Sequence, residues 1–359
     1  MPQTDPLKNI VIMAGGTGGH VFPGIALAEA FAQKGITTHW LGTQGGLEAN
    51  WVAQAGLPFS AISIKGLRGN GLKGWLMAPI NVWRAFMQAR RILKQQSPGL
   101  VIGMGGFVCG PGGLAARSLG IDLYLHEQNA VAGLTNKLLL PFAKRMFCGF
   151  EPQNLSSNKL EVIGNPVRAS IEAVAEIEPH QPAKILVIGG SRGAQALNQA
   201  LPAALALMPE MQRPVVLHQT GKNSVESTRQ AYQQVGVEAQ VEAFIEDMAL
   251  AYREARLVVA RSGALTIAEL MASARPAILV PFPYAVDDHQ TANAQVMQNL
   301  QVGQVIQQTD LTPDILAEQI QYWLQDEVGV EASKKIRQHA NLGAAQALVD
   351  RVLVLHNQE

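Results

Sequence analysis

The chain has 359 residues, 48% of them apolar and 16% charged, which suits two domains, since single cores seldom grow beyond ~250–300 residues, and excludes a disordered chain. Two cysteines, Cys109 and Cys148, exclude a disulfide framework or a thiolate zinc cage and fit a reducing compartment. The formal net charge of zero hides an asymmetry: residues 1–166 carry 14 Lys/Arg against 7 Asp/Glu, and residues 167–359 carry 14 against 21.

The opening MPQTDPLKN has no basic segment followed by an apolar one, so no signal peptide is expected. NIVIMA (9–14) reads as a buried strand and runs into GGTGGH (15–20). A helical pattern follows through Ile25, Leu27, Ala28 and Phe31 to Gly35 at the C-cap position. ITTHWLG (36–42) is the next strand. Between Ala49 and Ile121 there is no acid, while Lys65, Arg68, Lys73, Arg84, Arg90, Arg91, Lys94 and Arg117 add positive charge. Such a block points to an anionic partner: a membrane surface, phosphate or nucleic acid. Within it Leu72, Trp75, Leu76, Met77, Ile80, Val82, Trp83, Phe86 and Met87 interleave with Lys73, Arg84, Arg90 and Arg91, which suits an interfacial patch on an anionic leaflet. Pro79 predicts a break or a start of the helix there, leaving open which residues face outward.

GLVIGMGG (99–106), LYLHEQ (123–128) and RMFCGF (145–150) read as further strands. The charge-free run Val101–Ala116 is interrupted by glycines and is shorter than the ~20 apolar residues that span a bilayer, so any membrane contact is peripheral. EVIGNPVR (161–168) closes the first half in a Gly-Asn-Pro turn, and an acidic, proline-bearing linker follows at 172–182. At Lys184 the same grammar restarts with KILVIGG, SRGAQALNQALPAAL and PVVLHQTG. LVVARSG (257–263) and AILVPFP (277–283) continue it, and a last helix over about 332–356 is open to packing back on the first half. Two copies of one β-α-β opening predict an α/β chain of two doubly wound domains, divided near residues 166–167.

A dinucleotide fold would need G-x-G-x-x-G and an acid about 20 residues later. GGTGGH has Val21 where the third glycine belongs, and the following strand ends in Leu41-Gly42-Thr43 without an acid. GGSRGA has the wrong spacing, its next strand ends in His218-Gln219-Thr220, and neither turn is a P-loop. What remains is phosphate chemistry: a glycine turn feeding a helix presents free N–H groups and a positive dipole end. The segments 15–19, 103–113 and 189–193 are three such turns.

GGTGGHVFPG (15–24), GLRGNG (66–71), MGGFVCGPGG (104–113), HEQN (126–129), GNPVR (164–168), GGSRGA (189–194), RSGALTIAE (261–269) and DDHQTANA (287–294) resemble the MurG family in order and spacing, from about residue 8 to residue 350. Arg192 stands where glutamine is frequent, and His289-Gln290 where some members carry two glutamines. The resemblance implies a GT-B fold, two doubly wound Rossmann-like domains facing across a cleft. It also implies an inverting transferase carrying GlcNAc from UDP-GlcNAc to O4 of MurNAc in undecaprenyl-pyrophosphoryl-MurNAc-pentapeptide, forming a β-1,4 link. The donor is expected mainly in the second domain, and the lipid acceptor and membrane face in the first.

Inversion needs a base at the acceptor hydroxyl and stabilisation of the leaving pyrophosphate opposite it. His20, at a helix N-terminus expected to keep its ring neutral and basic, is the first candidate, as general base or as an acceptor-orienting donor, with a capping or packing role as its bland reading; Glu127 is the second candidate base. By the resemblance Thr17, Gly18, Gly19, Asn129, Arg168, Ser191, Ile245, Ala264, Leu265, Thr266, Ile267, Ala268, Glu269 and Gln290 serve UDP-GlcNAc. Among them Asn129 meets the donor sugar, Ile245 the uracil, Gln290 the GlcNAc hydroxyls, and Arg168 and Ser191 the diphosphate. Glu269 is expected on the ribose diol, against a capping box formed by Thr266 and Glu269. Gly105 and Gly106 belong to the acceptor side, and Lys73, Trp75, Trp83 and Arg84 to the membrane face. No Asp-x-Asp motif is placed for a metal, no cofactor is implied, and no nucleic-acid partner is expected. Two alternatives are a UDP-GlcNAc 2-epimerase of the same fold and a non-catalytic nucleotide-sugar-binding module.

Overall fold

The computed structural model describes residues 7–64, 71–190 and 193–358, with residues 71–76 described by their backbone alone. The chain divides into two compact units, Met1–Arg168 with Gly343–Glu359, and Ala169–Leu342.

The first unit runs β1 (Asn9–Ala14), α1 (Gly18–Gln33), β2 (Thr37–Thr43), α2 (Glu48–Gln54), β3 (Phe59–Ile62), α3 (Gly71–Gln96), β4 (Leu100–Gly105), α4 (Cys109–Ser118), β5 (Asp122–Glu127), α5 (Leu134–Leu139), β6 (Arg145–Cys148) and β7 (Leu160–Val162). Among the described residues its strands form one parallel sheet in the order β3-β2-β1-β4-β5-β6-β7. The two-residue period of the strands sorts the core into two layers. Ile10, Ile12, Ile102, Tyr124 and Phe147 pack on one face with Leu27 and Phe31 of α1. Val11, Met13, Val101, Leu123 and Leu125 pack on the other with Ala85, Ala89 and Leu93 of α3 and Ala115 and Ala116 of α4. Both faces are covered, so β1 and β4 are apolar at nearly every position, as buried parallel strands must be.

The second unit runs α6 (Ala169–Glu172), β8 (Lys184–Ile188), α7 (Gln195–Ala206), β9 (Val215–Gln219), α8 (Val225–Gln234), β10 (Ala239–Glu242), α9 (Met248–Glu254), β11 (Leu257–Ala260), α10 (Ala264–Ala272), β12 (Ala277–Leu279), α11 (His289–Asn299), β13 (Gly303–Val305), α12 (Pro313–Trp323) and α13 (Asp326–His339). Its parallel strand order, β10-β9-β8-β11-β12-β13, repeats the first six strands of the other sheet. Each sheet therefore reverses direction beside its first strand, at β1/β4 and at β8/β11. A doubly wound sheet opens its ligand crevice at the carboxyl ends of those two strands.

Three expectations need correction. The last helix is two, α13 and α14 (Ala344–Asn357), because Gly343 takes the left-handed conformation (φ 70°) and starts a new helix there. Leu348, Val349 and Val352 of α14 join the first unit's core beside α1. The stretch 172–182 is not a free linker: Val174 and Ile177 are buried, Ile177 N donates to Ser333 Oγ (2.9 Å), and Arg275 donates to the Ala175 carbonyl (3.0 Å). Finally, α3 passes through Pro79 without ending.

Candidate functional site

The first glycine turn is held from below by a carboxylate. Glu48 of α2 is fully buried and accepts from Thr43 N (2.8 Å), from the Thr43 hydroxyl and from Gly16 N (3.3 Å). Gly16 takes φ 97°, and Thr17 supplies the extended N-cap residue from which α1 starts at Gly18, Gly19 and His20. The loop after β4 comes against this turn through two further glycines. A Cβ on Gly106 (φ 85°) would lie 2.4 Å from the Gly15 carbonyl oxygen, and one on Gly105 (φ 116°) would lie 2.6 Å from His20 Nδ1. Only residues without a side chain allow that approach.

His20 is thereby packed at the switch point, and its ring is tied to β5. Gln128 Oε1 lies 2.9 Å from His20 Nδ1, while Gln128 Nε2 lies 2.7 Å from the Met104 carbonyl and 3.0 Å from His126 Nδ1. The Met104 carbonyl is available because β4 bulges: Met13 pairs with Gly103 and Ala14 with Gly105, leaving Met104 as the extra residue. His126 is fully buried, with Nε2 3.1 Å from the Gly164 carbonyl. Burial pushes its pKa down to about 4, against the opposing pull of the Gly164 bond and the Glu127 charge, so the ring is neutral at pH 7.

Glu127, 3% exposed, is occupied on both oxygens. Oε1 accepts from the backbone and side-chain amides of Asn129 (3.1 and 3.2 Å), and Oε2 from Gly133 N (3.0 Å) and Asn136 Nδ2 (2.9 Å). Its carboxylate shapes the segment that carries Asn129. The Arg168 guanidinium lies over the Phe22 ring of α1, 5.7 Å from its centroid. In the first unit the structure thus brings together Thr17, Gly18, Gly19, His20, Gly105 and Gly106, with Glu127 and Asn129 on the adjoining β5 end. His126, Gln128 and Glu48 were not singled out from sequence. HEQN was visible as a motif, but which of its side chains face the first turn depends on the β5 register.

In the second unit Ala264, Leu265, Thr266, Ile267, Ala268 and Glu269 all lie in α10, whose N-cap is Gly263 (φ −62°, ψ 147°). Thr266 is therefore inside the helix rather than at its cap, and the capping box does not form. Glu269 is buried and its Oε2 accepts from the Tyr252 hydroxyl (3.0 Å). Gln290 Oε1 accepts from Phe282 N (2.9 Å). Ile245 is buried beside a cavity of about 700 Å³ that Phe244, Asp247 and Leu250 also line. A larger cleft of about 860 Å³ lies at the carboxyl ends of the strands, walled by Gly193, Asn198, Ser224, Arg261 and Phe282. Ser191 and its neighbour Arg192 fall outside the described residues. Among the described residues no group of three or more His, Cys, Asp or Glu is placed to hold a metal.

On α3, Ala78, Ala85, Ala89 and Leu93 face inward, while Met77, Ile80, Trp83, Arg84, Met87, Arg91 and Lys94 are exposed, Trp83 at 62%. Trp83 stacks on Phe86 with centroids 5.4 Å apart. The side chains of Lys73 and Trp75 lie outside the described residues. No helix among the described residues is long and apolar enough to cross a membrane.

The chain matches the glycosyltransferase family 28 N-terminal domain over residues 10–148 and the family's C-terminal domain over residues 184–348. It is 57% identical, over 97% of its length and 98% of the relative's, to the UDP-N-acetylglucosamine–N-acetylmuramyl-(pentapeptide) pyrophosphoryl-undecaprenol N-acetylglucosamine transferase of Hydrogenovibrio crunogenus. The crystal structure of Acinetobacter baumannii MurG superposes with a TM-score of 0.80 at 38% identity, covering 96% of this chain and 99% of that one. A putative UDP-N-acetylglucosamine 2-epimerase from Listeria monocytogenes superposes at 0.69 with 14% identity, over 96% and 95% of the two chains, and shares the fold alone.

Proposed function

The chain belongs to the MurG family of glycosyltransferase family 28 and is an N-acetylglucosaminyltransferase, and we propose that it works by inversion with His20 as general base. The donor is UDP-GlcNAc and the acceptor is lipid-linked, undecaprenyl-pyrophosphoryl-MurNAc-pentapeptide. As O4 of MurNAc bonds to C1 of GlcNAc, its proton passes to His20 Nε2. The bond from C1 to the β-phosphate oxygen breaks, and its electron pair leaves with UDP. In-line displacement turns the α-linked donor into a β-1,4-linked product.

The observation that carries this reading is the packing of His20 between two glycine turns at the switch point, with one ring nitrogen bonded inward. A base needs a fixed direction as well as a lone pair. Glu127 has both oxygens committed to four donors, which supports a positioning role for it through Asn129. On the donor side Glu269 serves the ribose diol, and the backbone of Ala264–Ala268 at the start of α10 faces the phosphates. Arg168 and Ser191 take charge developing on the leaving diphosphate, Ile245 the uracil and Gln290 the sugar hydroxyls. Thr17, Gly18 and Gly19, with Gly105 and Gly106, bound the acceptor side.

The acceptor's polyprenyl chain keeps the reacting sugar at a membrane surface, and the exposed stripe of α3 supports a peripheral contact there, at the cytoplasmic face of the inner membrane. Trp83, Ile80, Met77 and Met87 insert at headgroup level while Arg84, Arg91 and Lys94 meet anionic lipid, a role we also propose for Lys73 and Trp75, whose side chains lie outside the described residues. UDP release tests the reaction: it should depend on added lipid acceptor. Conversion of UDP-GlcNAc without acceptor would instead favour the epimerase alternative, and binding without turnover a binding module.

A further inference from the structure

We infer that Gln128 is a positioning residue that selects the tautomer of His20, holding the proton on Nδ1 and leaving the Nε2 lone pair free. The inference rests on the reading of His20 as the base, and the geometry fixes it by elimination. A backbone carbonyl can only accept, so the end of the Gln128 amide 2.7 Å from the Met104 oxygen is the NH2 group. The same NH2 lies 3.0 Å from His126 Nδ1, which must then accept. His126 is consistent at its other end: a neutral ring that accepts at Nδ1 carries its proton on Nε2, and Nε2 sits 3.1 Å from the Gly164 carbonyl, again only an acceptor. The carbonyl of Gln128 is left to face His20 Nδ1 at 2.9 Å, so that nitrogen is the donor.

The chain of bonds therefore runs one way, from two backbone carbonyls through His126 and Gln128 to His20. Gln128 is 1% exposed and His126 fully buried, so water does not compete for these partners. A histidine orienter is often a carboxylate, which also raises ring basicity. An amide acceptor orients the ring without adding a negative charge. When Nε2 takes the acceptor proton, the imidazolium keeps its Nδ1–H bond to Gln128, so the ring does not turn during the step.

The test is nitrogen-15 NMR of histidine-labelled full-length protein, which distinguishes a protonated from a bare ring nitrogen. In the wild-type protein with the ring neutral, His20 should show a protonated Nδ1 and an unprotonated Nε2. Gln128→Met keeps the length of the side chain but removes both amide functions. It should move His20 towards a mixture of tautomers and lower kcat about 10²-fold, the lower end of the range for a mispositioned base, with the donor KM unchanged. A wild-type His20 protonated mainly on Nε2 overturns the inference with no variant needed. A folded Gln128→Met protein with wild-type tautomer and kcat also overturns it. If His20→Ala keeps full turnover while Gln128 still sets the tautomer, the base assignment fails and the tautomer assignment stands.

Discussion

The two units share a strand order and each buries a histidine network, yet the networks end differently. In the second unit His218 is fully buried and both nitrogens are used: Nδ1 lies 2.9 Å from the Tyr232 hydroxyl and Nε2 3.1 Å from Asn198 Oδ1. Asn198, which also walls the second unit's cleft, in turn donates to the Thr220 carbonyl (3.3 Å), so the network ends on a backbone carbonyl with both His218 nitrogens committed. In the first unit the run through His126 and Gln128 ends at half-buried His20, at the crevice where β1 and β4 diverge. A closed network holds a fold, whereas one that ends in an aimed nitrogen can do chemistry. Fold alone does not separate the two, as the shared architecture of transferases and an epimerase illustrates.

Several substitutions would sharpen or break that contrast. The largest structural effect is expected at Glu127. Removing it by Glu127→Ala takes away the shared acceptor of the Asn129, Gly133 and Asn136 amides and should cost about 1–3 kcal/mol or more, the penalty for unsatisfied buried polar groups, read as a lowered denaturation midpoint with lost turnover. A stable but inactive Glu127→Ala protein would move the base role to Glu127. Glu269→Ala should raise the donor KM ten-fold or more, since a charge-assisted hydrogen bond is worth roughly 1.5–3 kcal/mol. Unchanged KM with reduced stability would leave Glu269 as a mere partner of Tyr252.

His218→Phe should cost about 1–3 kcal/mol through the unsatisfied Asn198 and Tyr232 groups while leaving kcat near wild type. It should also alter acid sensitivity. Burial lowers the pKa of His218 from 6.5 to about 3 and that of His126 to about 4. Their unfolded forms bind protons first, so the stability they hold is complete above pH 6.5 and drains as the pH falls towards those values. Replacing His218 should flatten the fall in melting temperature between pH 6.5 and 4. A few-fold effect per cation is expected on α3. Replacing Lys73, Arg84 and Arg91 with Gln should weaken binding to anionic vesicles, each cation near a leaflet being worth about 1 kcal/mol, and spare a short-chain soluble acceptor. Equal losses on both acceptors would assign these cations to the site or the fold.

The central strands and both first turns were legible because each is a buried apolar run stopped by glycine, as in NIVIMA-GG and KILVI-GG. The edge strands β3 (FSAI), β10 (AQVE) and β13 (GQV) were not, since strands of three or four residues with mixed polarity carry little periodic signal. The capping-box alternative at Thr266 and Glu269 arises from their spacing alone, whereas Gly263 supplies the extended N-cap conformation three residues earlier. At the site, His20 stood out by its place after the glycines. Gln128 did not, because its role depends on a bulge in another strand that no local pattern announces.

The most direct test of the account is the turnover of His20→Ala at saturating UDP-GlcNAc and lipid acceptor. Loss of a positioned base predicts a fall in kcat of about 10²–10⁴, with UDP affinity and melting temperature close to wild type. Near-wild-type kcat in a folded His20→Ala protein would contradict it and reduce the open-ended network to a second structural one.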